Sequence, residues 1–125
     1  MTLTVRTQEK RAGVFTLWPV GSINSETYLT LGQSIERIVQ SSPTEVVLDM
    51  ASVDYMSSAG VRVILQAQRD LSNIRGHLIL VNLQPQIQKV LDIINALPSL
   101  KVFGSIAELD EYLDRMQKTV GKREQ

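Results

Sequence analysis

The chain has 125 residues, 43% of them hydrophobic and 21% charged, enough for one domain that buries roughly two thirds of its unfolded surface. Thirteen Lys plus Arg balance thirteen Asp plus Glu, so no global field is available to hold a nucleic-acid backbone or an anionic membrane. With no cysteine there is no disulfide framework, thiolate nucleophile or Cys-ligated zinc, and a single histidine, His77, excludes any site that needs two imidazoles.

Leu3, Val5 and Thr7 alternate with Thr2, Thr4 and Arg6, and the extended run Val14 to Val20 follows a polar turn over Gln8 to Gly13. Together they predict an antiparallel hairpin, with Pro19 near the end of its second strand. From Asn24 the period becomes helical: Tyr28, Leu31, Ile35, Ile38 and Val39 form a stripe to about Ser41, with Asn24 as N-cap and Glu26 in the first turn. Ser41, Ser42 and Pro43 break that helix. Glu45 to Met50 is apolar on both faces, the mark of a central strand.

Ala51 to Tyr55 reads as irregular, and Gly60 to Leu71 as a helix carrying Val61, Ile64, Leu65 and Leu71, ended by Gly76. His77 to Leu83 is a second buried strand, so strand, helix, strand implies a parallel crossover. Pro85 opens a helix with Ile87, Val90, Leu91 and Ile94 on one stripe, closed by Pro98. Val102 and Phe103 suit a short edge strand. Ser105 and Glu108 match a capping box for a last helix with Ile106, Leu109, Leu113 and Met116, and the tail from Lys118 is expected to fray. The class is α/β, a single domain over 1–117 with a flexible tail over 118–125. Its mixed sheet has four to five strands, with about four helices packed on it.

The longest apolar stretch, Leu78 to Val81, falls far short of the ~18 residues of a membrane span. The opening MTLTVRTQEKRAG lacks the apolar region of a signal peptide, so a soluble cytoplasmic protein is expected. His77, at a strand start, suits a partly exposed histidine better than a catalytic base. Asp49 and Asp54, the carboxylates near the central loop, suit solvated or turn-capping roles. No cofactor, metal site or nucleotide motif is expected, since a phosphate loop needs Gly-Lys-Ser/Thr and Gly121-Lys122 is followed by Arg123.

The informative segment is VDYMSSAGVRV, Val53 to Val63. Two hydroxyls stand before a helix, where the first N–H groups lack intrahelical partners and the macrodipole is positive, so a negative group is welcome. Against the nucleophile elbow G-x-S-x-G, Ser58 has Gly60 downstream but Met56 upstream, and neither serine has a lysine three residues on. From spacing alone Ser58 is an N-cap. Gly60, costly in a first helical turn, suggests close approach of another backbone.

The run VVLDMASVDYMSSAGVRVIL, Val46 to Leu65, resembles the core signature of STAS domains, the anti-sigma factor antagonist family. VGSINS, Val20 to Ser25, resembles that family's G-x-[LI]-D motif, and HLILVN, His77 to Asn82, its G-x-L-x-L-V strand, so the likeness covers roughly residues 3 to 115. It implies a non-enzymatic module that, unphosphorylated, sequesters a serine-kinase anti-sigma factor and frees a sigma factor. The phosphoacceptor falls on Ser58, with Ser57 as the alternative; Ser57 stands where the family usually has an acid, Ala59 replaces a second hydroxyl residue, and Asn24 replaces an aspartate. The implied partner surface comprises Asn24, Ser57, Ser58, Ala59, Gly60 and Val61. A serine phosphatase would reset the switch, and a homodimer could form through an open hairpin edge. The competing readings are a scaffold subunit that is never phosphorylated, in a signalling or transporter-associated complex, and a serine hydrolase, which needs His77 near Ser58.

Overall fold

The computed structural model describes residues 2–93 and 101–104, with 107 and 111. The chain runs β1 (Leu3–Arg11), β2 (Val14–Ile23), α1 (Tyr28–Val39), β3 (Glu45–Asp49), β4 (Val53–Met56), α2 (Ser58–Asn73), β5 (His77–Val81), α3 (Pro85–Ile93) and β6 (Lys101–Phe103). The strands make one mixed sheet in the order β1-β2-β3-β5-β6, with β4 pairing β2 off that path. β1 and β2 are antiparallel, and the other pairings are parallel. The α/β class, the hairpin, the parallel crossover and the edge strand at Val102 and Phe103 are as the sequence predicts. The sheet has six strands, one more than expected, because β4 takes up the end of the segment read as irregular, Val53 to Tyr55, together with Met56. Of the last helix only Ala107 and Glu111 are described, both helical and exposed; Ile94, Pro98, the capping box and the domain end at 117 lie outside the described residues.

Alternation along the central strands builds the core. Val46 and Leu48 of β3 and Leu78 and Leu80 of β5 join Leu17 and Ile23 on one face, where α1 supplies Leu31 and Ile35, α2 supplies Ile64 and Leu71, and α3 supplies Ile87 and Leu91. Val47, Ile79 and Val81, on the other parity, join Val14 in a second cluster. Strands buried on both faces read as continuous apolar runs, and so β3 and β5 were legible. The edge strand β1 instead exposes Arg6, Glu9 and Lys10, with Arg6 and Lys10 lying 4.5 and 5.5 Å from the Trp18 ring centroid. Charges on an open edge discourage strand addition.

Pro19 lies inside β2, not near its end, because β2 changes partners there: it pairs β3 up to Leu17 and β4 from Gly21. A residue without an N–H is tolerated where the parallel ladder is interrupted. Gly21 has φ +126, and a Cβ on it would sit 2.6 Å from the Thr2 carbonyl oxygen, so only glycine fits at the point where β2 turns to β4.

Candidate functional site

The parallel strands carry their loops at one end, and three segments meet there. Asp49 closes β3; its Oδ1 accepts the Ala51 N–H at 3.1 Å and the Asn82 amide at 3.1 Å, which is the turn-capping role expected of it. The chain then pairs with the end of β2 as β4, matching Gly21, Ser22 and Ile23 to Val53, Tyr55 and Met56. Asp54 accepts the Ser22 hydroxyl at 2.9 Å. Gln84 and Gln86, ahead of and inside α3, donate to the Ala51 and Asp54 carbonyls and tie that element to the same loop.

From β4 the chain enters α2 through Ser57. Its N–H donates to the Ile23 carbonyl at 2.8 Å, and its own carbonyl accepts the Val61 N–H at 3.1 Å. Ser57 is therefore the N-cap, with φ −87 and ψ 177, and Ser58 is the first residue of α2. The helix starts two residues earlier than the pattern predicted, so the cap assigned to Ser58 from spacing belongs to its neighbour. Ser57 Oγ makes no capping bond; it is shut from solvent and has no hydrogen-bond partner. Ser58 is exposed. Two chemically identical hydroxyls are thus sorted by one step of backbone, one turned inward and one presented beside the open amides of a helix start.

Asn24 joins this end because it directly follows Ile23, whose carbonyl holds Ser57. It caps a turn, not the helix proper: its Oδ1 accepts the N–H groups of Glu26 at 2.9 Å and Thr27 at 3.1 Å, and its carbonyl takes the Tyr28 N–H at 2.9 Å. The formal N-cap of α1 is Thr27, and Glu26 precedes the first turn instead of sitting in it. Thr27 Oγ1 donates to the Ser22 carbonyl at 2.7 Å, locking the turn to β2. Sequence reading missed Thr27 and Asn82. A threonine three residues after an asparagine at a helix entry was the available signal for the first.

Ala59, Gly60 and Val61, expected on a partner surface, are buried. A Cβ on Gly60 would lie 2.6 Å from Met56 Cγ and 2.7 Å from Ile23 Cγ2. The close approach that calls for glycine is made by side chains of this chain, where the sequence suggested another backbone. Arg62 is exposed one helical turn after Ser58.

His77 sits at the opposite end of the strands. It is level with Glu45 and Val14, while Ser57 follows Met56, which is level with Ile23. The span of β2 between those levels is roughly 30 Å at ~3.3 Å per residue. His77 Nδ1 lies 3.7 Å from Glu45 Oε1, and its side chain is 45% exposed. The chain's one imidazole is therefore out of reach of both serines, whereas the serine-hydrolase reading requires His77 near Ser58. No helix among the described residues is long and apolar enough to cross a membrane.

Residues 6–109 match the model of the STAS domain. A Bordetella bronchiseptica protein named as an anti-sigma factor antagonist, BtrV, is 32% identical over 99 residues, which are 79% of this chain and 85% of that protein. Among solved structures, an anti-sigma factor antagonist from Mycobacterium paratuberculosis superposes with a TM-score of 0.78 at 21% identity, covering 92% of this chain and 94% of that one. The unphosphorylated form of the anti-sigma factor antagonist SpoIIAA does so with a TM-score of 0.71 at 19% identity, covering 91% and 98%. The phosphorylated form of the Bacillus cell fate determinant SpoIIAA gives 0.70 at 18% identity, covering 87% and 99%. At those identities the superpositions speak for the fold, whereas the family match spans most of the sequence. The chain belongs to the STAS domain family, among the anti-sigma factor antagonists.

Proposed function

We propose that this chain is a phosphorylation-switched binding module that regulates transcription in the cytoplasm, with Ser58 as its phosphoacceptor. Unphosphorylated, it sequesters a serine-kinase anti-sigma factor and frees a sigma factor. The Ser58 hydroxyl oxygen then takes the γ-phosphoryl group of the kinase's ATP, ADP leaves, the hydroxyl proton passes to the kinase, and the complex opens. A serine phosphatase hydrolyses the phosphoserine and restores the binding state. The module itself catalyses nothing. Likeness to BtrV supports the class of partner.

The observation that carries the choice of residue is the sorting of the two serines: Ser58 is exposed at the start of α2, while Ser57 Oγ is enclosed. A phosphoserine adds about −1.5 to −2 charges and three acceptor oxygens, which the open amides and positive end of a helix tolerate without unfolding. The domain keeps its fold and changes its face. A partner docked over Ser58 must desolvate or expel a dianion, at a cost of ~2–5 kcal/mol for a disturbed interfacial charge. That is between about one and four decades of affinity.

The test is to incubate the chain with the anti-sigma kinase of its host and ATP and to localise the product by mass spectrometry. One phosphate on Ser58 is expected. Phosphate on Ser57 alone overturns the assignment, and none on either residue leaves the scaffold reading.

A further inference from the structure

The helix that Ser58 opens carries a cation one turn on, Arg62. Ser58 opens α2 and Arg62 follows one turn on, so the two side chains lie on one face, roughly 6 Å apart along the axis. Long helical side chains lean back toward the N-terminus, a direction that brings a guanidinium at position 62 within reach of a group on Ser58. Both residues are exposed, and the Arg62 side chain makes no hydrogen bond or ion pair among the described residues. The first turn of α2 holds no acidic residue that would claim the guanidinium. Tyr28, Ala59, Val63 and Gln66 line the hollow beside Arg62, a bed for its apolar stem. Two carboxylates belong to the segments flanking the start of α2: Asp54, which accepts the Ser22 hydroxyl, and Glu26, in the turn before α1.

We propose that Arg62 is a built-in counter-ion for a Ser58 phosphate, a positioning residue that draws the group back along α2 and holds it as a dianion. The inference rests on the phosphorylation reading above and adds the residue that shapes the phosphorylated state. An anion placed N-terminal to a cation at i, i+4 is the favourable order on a helix. The planar guanidinium can grip two phosphate oxygens at once, which an ammonium cannot. Unphosphorylated Ser58 is neutral and gives Arg62 nothing to pair with, so the guanidinium is free for a partner in the binding state and occupied in the released state. Phosphorylation would therefore remove a cation from the docking face as well as add an anion to it.

The test uses the full chain with phosphoserine encoded at position 58 during synthesis, so that no kinase is needed. Phosphorus NMR titration across the ordinary second phosphate pKa of ~6 reads the local cation directly. The Arg62→Gln protein should titrate about half a unit higher than wild type, the scale of a helical ion pair enlarged for a dianion. Arg62→Lys should fall between them, and the gap should shrink in about 1 M salt. Asp54 and Glu26 are common to all three proteins and drop out of the comparison. Because Arg62 is exposed, thermal melts should show all three folded alike. Equal titration of wild type and Arg62→Gln overturns the assignment. A gap in the encoded phosphoprotein, beside a kinase that leaves Ser58 unmodified, upholds the counter-ion and overturns the phosphorylation reading instead.

Discussion

The first turn of α2 divides between two environments within five residues. Ala59, Gly60 and Val61 face the core, with Gly60 pressed so closely against Met56 and Ile23 that a Cβ would force those side chains to shift. Ser58 and Arg62 face solvent. The inward half seats the first turn against Met56 and Ile23, and the outward half displays a hydroxyl and a guanidinium from that base. A motif that reads as one functional signature is therefore two devices in series. Substitutions on its two sides should fail in different ways, the first through folding and the second through binding.

The largest effect is expected on the inward side. Gly60→Leu should abolish the cooperative thermal transition, and Gly60→Ala should cost ~1–3 kcal/mol for overpacking, since Ile23 is fully buried. Melts and denaturant titrations check this. A stable Gly60→Leu protein would mean that the inward half is not the anchor.

Next comes the charge on the outward side. Ser58→Asp should fold like wild type yet bind the kinase more weakly by ~2–5 kcal/mol. Ser58→Ala should bind at least as well as wild type and resist release by ATP. Because Ser57 holds the N-cap position, Ser58→Ala should also leave stability nearly unchanged, whereas removing a serine whose hydroxyl made a capping hydrogen bond would cost ~0.5–2 kcal/mol. Calorimetry and melts on the same preparations separate the two roles.

Asn24→Ala removes the acceptor of the Glu26 and Thr27 amides and should destabilise by ~1 kcal/mol, a typical capping loss. The smallest change is expected at Ser57→Ala. Its hydroxyl is enclosed and unpartnered, so deletion should be neutral or slightly stabilising, and phosphorylation of Ser58 should persist. Loss of phosphorylation in that variant would reverse the comparison between the serines.

Much of the frame was legible because it rests on periodicity. Val46 to Leu48 and Leu78 to Val81 are short apolar runs of the kind strands buried on both faces carry, and Leu31, Ile35 and Ile38 recur at the spacing of one side of a helix. Where reading failed, a distant partner had intervened. Val53–Met56 has no alternation of its own and becomes β4 because the end of β2 offers it a ladder. Pro19 looked like a strand end because a local rule cannot see that β2 exchanges β3 for β4 at that point.

The sequence by itself determined the α/β class, the order of the main elements, the family signature and the stretch in which a switch would lie, since each follows from residue type and spacing along the chain. It could not decide between Ser57 and Ser58, whether Gly60 served a partner or the core, or whether His77 could reach a serine. Those depend on which backbone groups meet across the sheet. The bond from Ser57 N–H to the Ile23 carbonyl sets the helix start and turns one hydroxyl in and the next out. The register of β2, β3 and β5 sets His77 at the far end of the strands. Such contacts join residues more than thirty positions apart, and only the folded chain brings them together.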